Sequence, residues 1–93
     1  MLRIYVSAHC PGCDTARARA ARVRARRPEI PVALVDVDAP GAAVPPRIIG
    51  TPVYTWHDRV LYLGNPGEDE LIERVTVLHA DASDETLPIR RPR

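Results

Sequence analysis

The sequence predicts a small α/β domain: a mixed four-stranded sheet in the order β-α-β, then β-β-α, with helices on its faces. Three observations predict it. An alternating segment, Leu2 to Ser7, gives way to a run of helix formers, Asp14 to Arg27, and then to an apolar segment from Pro31 to Val37. This strand–helix–strand unit is long enough for a right-handed parallel crossover. Further on, Val53–Trp56 and Val60–Leu63 are both rich in strand formers, and the short His57-Asp58-Arg59 between them permits a hairpin but no crossover.

Each element has its own local reason. In the first strand Leu2, Ile4 and Val6 fall on one face, with Arg3, Tyr5 and Ser7 on the other. Pro11 suits the first position of a helix, where its missing N–H is harmless. The helix then runs without Gly or Pro to Arg27, with Ala16, Ala20 and Val23 as a narrow apolar stripe, and Pro28 ends it. The Val32–Val37 run reads as a strand buried on both faces, as in parallel sheets. Asp38 to Ile49 carries Pro40, Gly41, Pro45 and Pro46 and reads as an irregular link, with room for a short turn at Ala42–Val44. Asn65-Pro66-Gly67-Glu68 reads as a helix start, with Asn65 as N-cap and Pro66 in the first position. Leu71, Val75 and Leu78, with Ile72 beside them, form its buried face. Glu68, Asp69 and Glu70 in the first turn and His79 near the end suit the helix dipole.

The domain is expected to occupy residues 1–80, with 81–93 a polar, basic and flexible tail. The 93-residue chain is 45% hydrophobic, enough for one core, but it lacks Phe and has a single Trp, so Val, Leu, Ile and Ala must build that core. Its net charge of +1 gives no global field toward nucleic acid. All 13 basic residues are Arg, which reads as a compositional bias. Met1–Val6 does not resemble a signal peptide, and no apolar run approaches the roughly 18 residues needed to span a bilayer. The expected setting is the cytoplasm and the expected state a monomer. In a reducing compartment a lone cysteine pair is more often catalytic or metal-binding than a structural staple.

Chemistry concentrates in His9-Cys10-Pro11-Gly12-Cys13, which holds both cysteines of the chain. A Cys-x-x-Cys beside a βαβ pattern reads first as a dithiol/disulfide centre. With Cys10 at the N-cap and Cys13 in the first turn, the two Cα atoms would lie ~5–6 Å apart, within disulfide range. The helix N-terminus would favour a Cys10 thiolate, and Cys13 would be more buried. Cys10 is then the attacking sulfur and Cys13 the resolving one. His9 either tunes Cys10, since His titrates near neutrality, or merely leaves the strand.

The chain resembles the thioredoxin/glutaredoxin-like superfamily over residues 2 to about 79. The resemblance rests on Cys10-Pro11-Gly12-Cys13 after a first strand, a second strand ending in Val35-Asp36-Val37-Asp38, Gly50-Thr51-Pro52 opening a hairpin, and a final helix. The short start is more similar to glutaredoxins than to full-length thioredoxins. The resemblance implies a thioredoxin-like fold, a cis Thr51–Pro52 bond facing the dithiol, and a Thr51 backbone that pairs with substrate. It implies thiol–disulfide oxidoreductase activity on protein disulfides, with no cofactor beyond the Cys10–Cys13 disulfide. The reducing partner would be a reductase or a low-molecular-weight thiol. Gly64 is followed by Asn65-Pro66 where glutaredoxins carry Gly-Gly and an acid, which does not favour glutathione. The buried acid of thioredoxins would fall near Ile4, which is apolar, and Pro-Gly between the cysteines matches neither typical subgroup.

Two other classes stay open. Cys-x-x-Cys also suits a Cu or Zn carrier, although Pro11 and Gly50-Thr51-Pro52 have no place in one. A thioredoxin-fold binding module without turnover is the third reading, against which both cysteines are present. The helix face bearing Arg17, Arg19, Arg22, Arg24, Arg26 and Arg27 reads as a solvated face, with an acidic docking partner as the sharper alternative. Tyr54 and Trp56 read as hairpin packing, Asp36 and Asp38 as strand-end solvation, and His57 and His79 as surface.

Overall fold

The computed structural model describes residues 1–84. Its elements are β1 (Leu2–Val6), α1 (Cys13–Arg26), β2 (Val32–Asp36), β3 (Val53–Trp56), β4 (Arg59–Leu63) and α2 (Glu68–Asp84). The protein is a mixed α/β structure with a four-stranded sheet in the order β2-β1-β3-β4. β1 pairs with β2 in parallel, and β1–β3 and β3–β4 are antiparallel. α2 continues past residue 80 to Asp84, and the rest of the expected tail, 85–93, lies outside the described residues. No described helix is long and apolar enough to cross a membrane.

The alternation of β1 sets the core. Leu2 stands opposite Trp56 and Ile4 opposite Tyr54, so these side chains share one sheet face. They form a single cluster with Cys13, Ala16, Ala20 and Val23 of α1 and Leu71, Ile72 and Val75 of α2. Both helices therefore lie on the same face of the sheet. Tyr5, Val53 and Thr55 on the opposite face are buried as well. On that side the link between β2 and β3 is tied to the hairpin turn by Arg47 and Asp58, 3.5 Å apart.

Three local expectations are corrected. β2 is an outer strand, and Val32–Val35 are half-buried instead of covered on both faces, because a strand at a sheet edge lacks one neighbour. α1 begins at Cys13 with Gly12 as its N-cap, and Pro11 precedes it, because Cys10–Cys13 first closes a turn (Cys13 N–H to Cys10 C=O, 3.1 Å). α2 is opened by Gly67, whose carbonyl takes the Leu71 N–H at 3.0 Å, and not by Asn65. In the hairpin, Thr55 pairs with Val60 and Tyr54 with Tyr62, leaving Leu61 as an extra residue in a bulge. Leu61 and Tyr62 then both pack against the core. His57 adopts φ 53° in the turn and lies edge-on to Trp56, as does His79, so both histidines flank this ring.

The arginine face is solvent-exposed, as expected, and it also seats α2. Arg22 meets Glu68 at 2.9 Å, Arg26 meets Glu68 and Asp69 at 3.1 and 2.9 Å, and Arg27 donates to Thr76 Oγ1 at 3.1 Å. Arg19 donates to the Pro66 carbonyl at 3.0 Å. The acidic first turn suits the positive end of the α2 dipole and is neutralised from α1. Arg22, followed by Arg26, holds the Glu68 carboxyl below its ordinary 4.5. A depressed carboxyl stabilises the fold above its unfolded pKa, and that support is lost as pH falls through the folded value. Glu68→Gln is therefore expected to lower Tm at neutral pH, with the gap to the natural chain narrowing as pH falls below 4.5 and in roughly 1 M salt. Thermal unfolding by circular dichroism checks this; a gap independent of both pH and salt would contradict it.

Candidate active site

The cysteines sit where β1 hands over to α1. Cys10 and Cys13 are joined as a disulfide, with their Cα atoms 5.3 Å apart. The turn that closes between them makes this spacing, and α1 starts on Cys13 itself. Cys13 is 0% exposed and belongs to the core, held among small neighbours such as Ala16. Cys10 is partly buried and borders on solvent. The expected asymmetry of the pair is present, although Cys10 precedes the N-cap instead of occupying it.

Three strands of contact converge on the turn. Just past the end of β1, the Ser7 N–H donates to Cys13 Sγ at 3.4 Å, and Ser7 Oγ shares a 2.8 Å hydrogen bond with Thr51 Oγ1. From the start of β3, the Thr51–Pro52 peptide is cis, and the Pro52 ring flanks Gly12: a Cβ built on Gly12 would lie 3.5 Å from Pro52 Cδ. From the segment before α2, Asn65 Nδ2 donates to the Gly12 carbonyl at 2.8 Å, while Asn65 Oδ1 accepts the Tyr54 hydroxyl at 2.7 Å. Gly64 makes this approach by turning with φ 98°, in the left-handed region that favours glycine, and its N–H donates to the Pro52 carbonyl at 2.9 Å.

Cys10, Cys13, Thr51 and Pro52 thus come together as the sequence suggests. Pro11 lies exposed on the turn. His9 is also exposed; among the described residues its ring makes no hydrogen bond or ion pair to Cys10, and it lines a shallow depression with Ser7, Asp38 and Thr51. Asp38 is exposed, as strand-end solvation implies, and its carboxylate accepts the Ala8 N–H at 3.4 Å, two residues before Cys10. Beyond Thr51, a depression of about 300 Å³ is bordered by Ile49, Pro52 and Leu63. Ile49 and Leu63 are 92% and 81% exposed, so apolar surface flanks the cis peptide.

Asn65, Ser7 and Tyr54 are the site residues that sequence reasoning missed. Asn65 carried a signal, but Asn before Pro is equally the mark of a helix cap. Tyr54 is fully buried, and burial raises its hydroxyl to about 12, with the nearby Arg19 charge opposing. Among the described residues no group of three or more His, Cys, Asp or Glu side chains could hold a metal ion.

The fold and site define a small mixed α/β protein with a cysteine pair at a strand-to-helix turn. Comparison of the chain with protein-family models, curated proteins and solved structures finds no match.

Two measurements follow from this geometry. After reduction, Cys10 is expected to react with iodoacetamide on the order of tenfold faster than Cys13, read by peptide mass mapping; equal rates would contradict the burial difference. Tyr54 is expected to remain protonated until about pH 12 in the folded protein. The difference in phenolate absorbance between the natural chain and Tyr54→Phe reports it, and ionisation near the ordinary 10.0 would show that the hydroxyl is not buried. Because the folded pKa is raised, the stability this hydroxyl confers is fully present below pH 10.0 and is lost as pH rises toward 12.

Proposed function

We propose that the protein is a thiol–disulfide oxidoreductase with a thioredoxin-like fold, acting on protein or peptide disulfides. The observation that carries the reading is the pairing of a partly buried Cys10 with a fully buried Cys13, Cα atoms 5.3 Å apart, beside a cis Thr51–Pro52 peptide. A disulfide between residues three apart ties no distant segments of the fold together, which suits a centre that cycles. The more exposed sulfur is the one a bulky substrate can reach.

The reduced form starts the cycle. The Cys10 thiolate attacks one sulfur of the substrate disulfide; the Cys10–substrate bond forms, the substrate S–S bond breaks, and the departing thiolate takes a proton from solvent. Cys13, after losing its proton, attacks Cys10 Sγ. The Cys10–Cys13 bond forms and the second substrate sulfur leaves as a thiolate. A thiol partner, a reductase or a low-molecular-weight thiol, then returns both cysteines to the reduced state. Backbone around the site supports such an encounter. The β3 ladder begins only at Val53, so Thr51 stands ahead of it, next to the apolar surface of Ile49 and Leu63. The cytoplasm is the setting in which a partner of this kind keeps the pair reduced.

Insulin reduction driven by dithiothreitol tests the reading. Cys10→Ser is expected to bring the rate down to that of the reductant alone. Cys13→Ser is expected to accumulate a mixed disulfide visible by mass spectrometry. A natural chain with no rate above dithiothreitol, or a Cys10→Ser chain of full activity, would overturn it.

A further inference from the structure

The peptide joining Gly12 to Cys13 has every hydrogen-bonding group engaged. Its N–H donates to the Cys10 carbonyl at 3.1 Å. Its carbonyl accepts the Ala16 N–H at 3.1 Å, as the first bond of α1, and the Asn65 side chain at 2.8 Å. A carbonyl oxygen has two lone pairs, so the acceptor is saturated. The turn and the helix supply two of these bonds locally. The third arrives from 53 residues further along the chain.

The orientation of the Asn65 amide follows from its partners. The Gly12 carbonyl can only accept, so it must face the amide NH₂; Oδ1 then faces Tyr54, which must donate. The Tyr54 ring is wholly buried in the core cluster on the sheet's helical face. Its hydroxyl keeps its proton well past neutrality, so the donor is permanent. The backbone on either side of Asn65 is tied as well, by Gly64 N–H to Pro52 and by Arg19 to the Pro66 carbonyl. Asn65 does not cap α2, which Gly67 opens. Gly12 leaves the space the amide uses: a Cβ there would stand 3.0 Å from Asn65 Nδ2, tight enough that the amide would have to shift.

We propose that Asn65, oriented by Tyr54, is a positioning residue for the dithiol. It holds the Gly12–Cys13 peptide so that the Cys13 sulfur stays within reach of Cys10 when the disulfide is open. This rests on the reading of Cys10–Cys13 as a redox pair and extends it to a residue distant in sequence. When the disulfide is reduced, the covalent tie between the sulfurs is gone and only the backbone keeps them together. A pinned peptide keeps their effective concentration high and favours closure. Closure by oxidised glutathione is balanced. The two protein thiols give up two protons and two electrons, the Cys10–Cys13 bond forms, and the glutathione disulfide becomes two thiols.

The test is the equilibrium of the full chain with glutathione redox buffers, read by thiol trapping. In Asn65→Ala and Asn65→Asp the constant for disulfide formation is expected to fall about three- to tenfold, about 14–30 mV, the scale of one lost hydrogen bond. Asn65→Asp keeps the acceptor for Tyr54 and loses the donor to Gly12, so it isolates the bond in question. Tyr54→Phe is expected to shift the constant in the same direction by less. A residue that merely supported the fold would lower Tm of the oxidised and reduced forms equally and leave the constant unchanged. Constants within twofold of the natural chain for both Asn65 variants would overturn the proposal. The equilibrium involves the chain's own thiols and no protein substrate. A natural chain inactive toward insulin would therefore sink the catalytic reading while this measurement still returned its own answer.

Discussion

A disulfide between residues three apart needs a backbone that turns back within four residues, and most of the structure can be traced to the bond that makes it do so. The Cys13 N–H to Cys10 carbonyl bond closes the turn at the end of β1 and delays α1 until Cys13. That delay puts Cys13 on the helix row of Ala16, Ala20 and Val23, pointing into the core, and leaves Cys10 outside it. Had the helix begun at Pro11, both the register of α1 and the burial of the two sulfurs would differ. The surrounding elements then conform to the turn: Ser7 and Pro52 flank it, and Asn65 reaches its carbonyl.

The two helices are held to one sheet face by different forces. Small residues on α1 let it lie close to β1, which concentrates dispersion in a core without Phe. Between the helices the polar contribution is large in number and modest in strength, because Arg22, Arg26, Glu68 and Asp69 keep contact with water. Their value is geometric. They fix how α2 begins relative to α1, and the segment before α2 is the one that carries Asn65 toward the cysteine turn. Packing supplies the adhesion and the ion pairs supply the register.

What could be read from the sequence was what depends on near neighbours. The alternation of Leu2, Ile4 and Val6, the stripe of Ala16, Ala20 and Val23, and the hairpin about His57-Asp58 are all local patterns, and each is present. The cysteine spacing and the cis Thr51–Pro52 bond are present too, the second expected only through family resemblance. The edge position of β2 was not legible, because an apolar run cannot say how many strands will flank it. Arg22 and Arg26 read as solvent-facing because their carboxylate partners lie more than forty residues away. Asn65 illustrates the sharpest limit: the same side chain caps a helix or bridges two segments, and only the tertiary structure chooses.

The edge position of β2 carries a further consequence. Because Leu2 N–H bonds to the Pro31 carbonyl, the Val32 carbonyl points away from β1 toward open space. Arg24 of α1 reaches over and donates to it at 3.1 Å. At the other margin the Leu61 bulge bends β4 out of regular repeat. Neither border of the sheet therefore offers a long, flat row of free backbone groups. Short bordering strands, one blocked by an arginine and one bent, work against the strand-to-strand self-association that begins aggregation. One arginine of α1, Arg24, thus covers an outward carbonyl of the β2 edge, while Arg22 and Arg26 of the same helix seat α2.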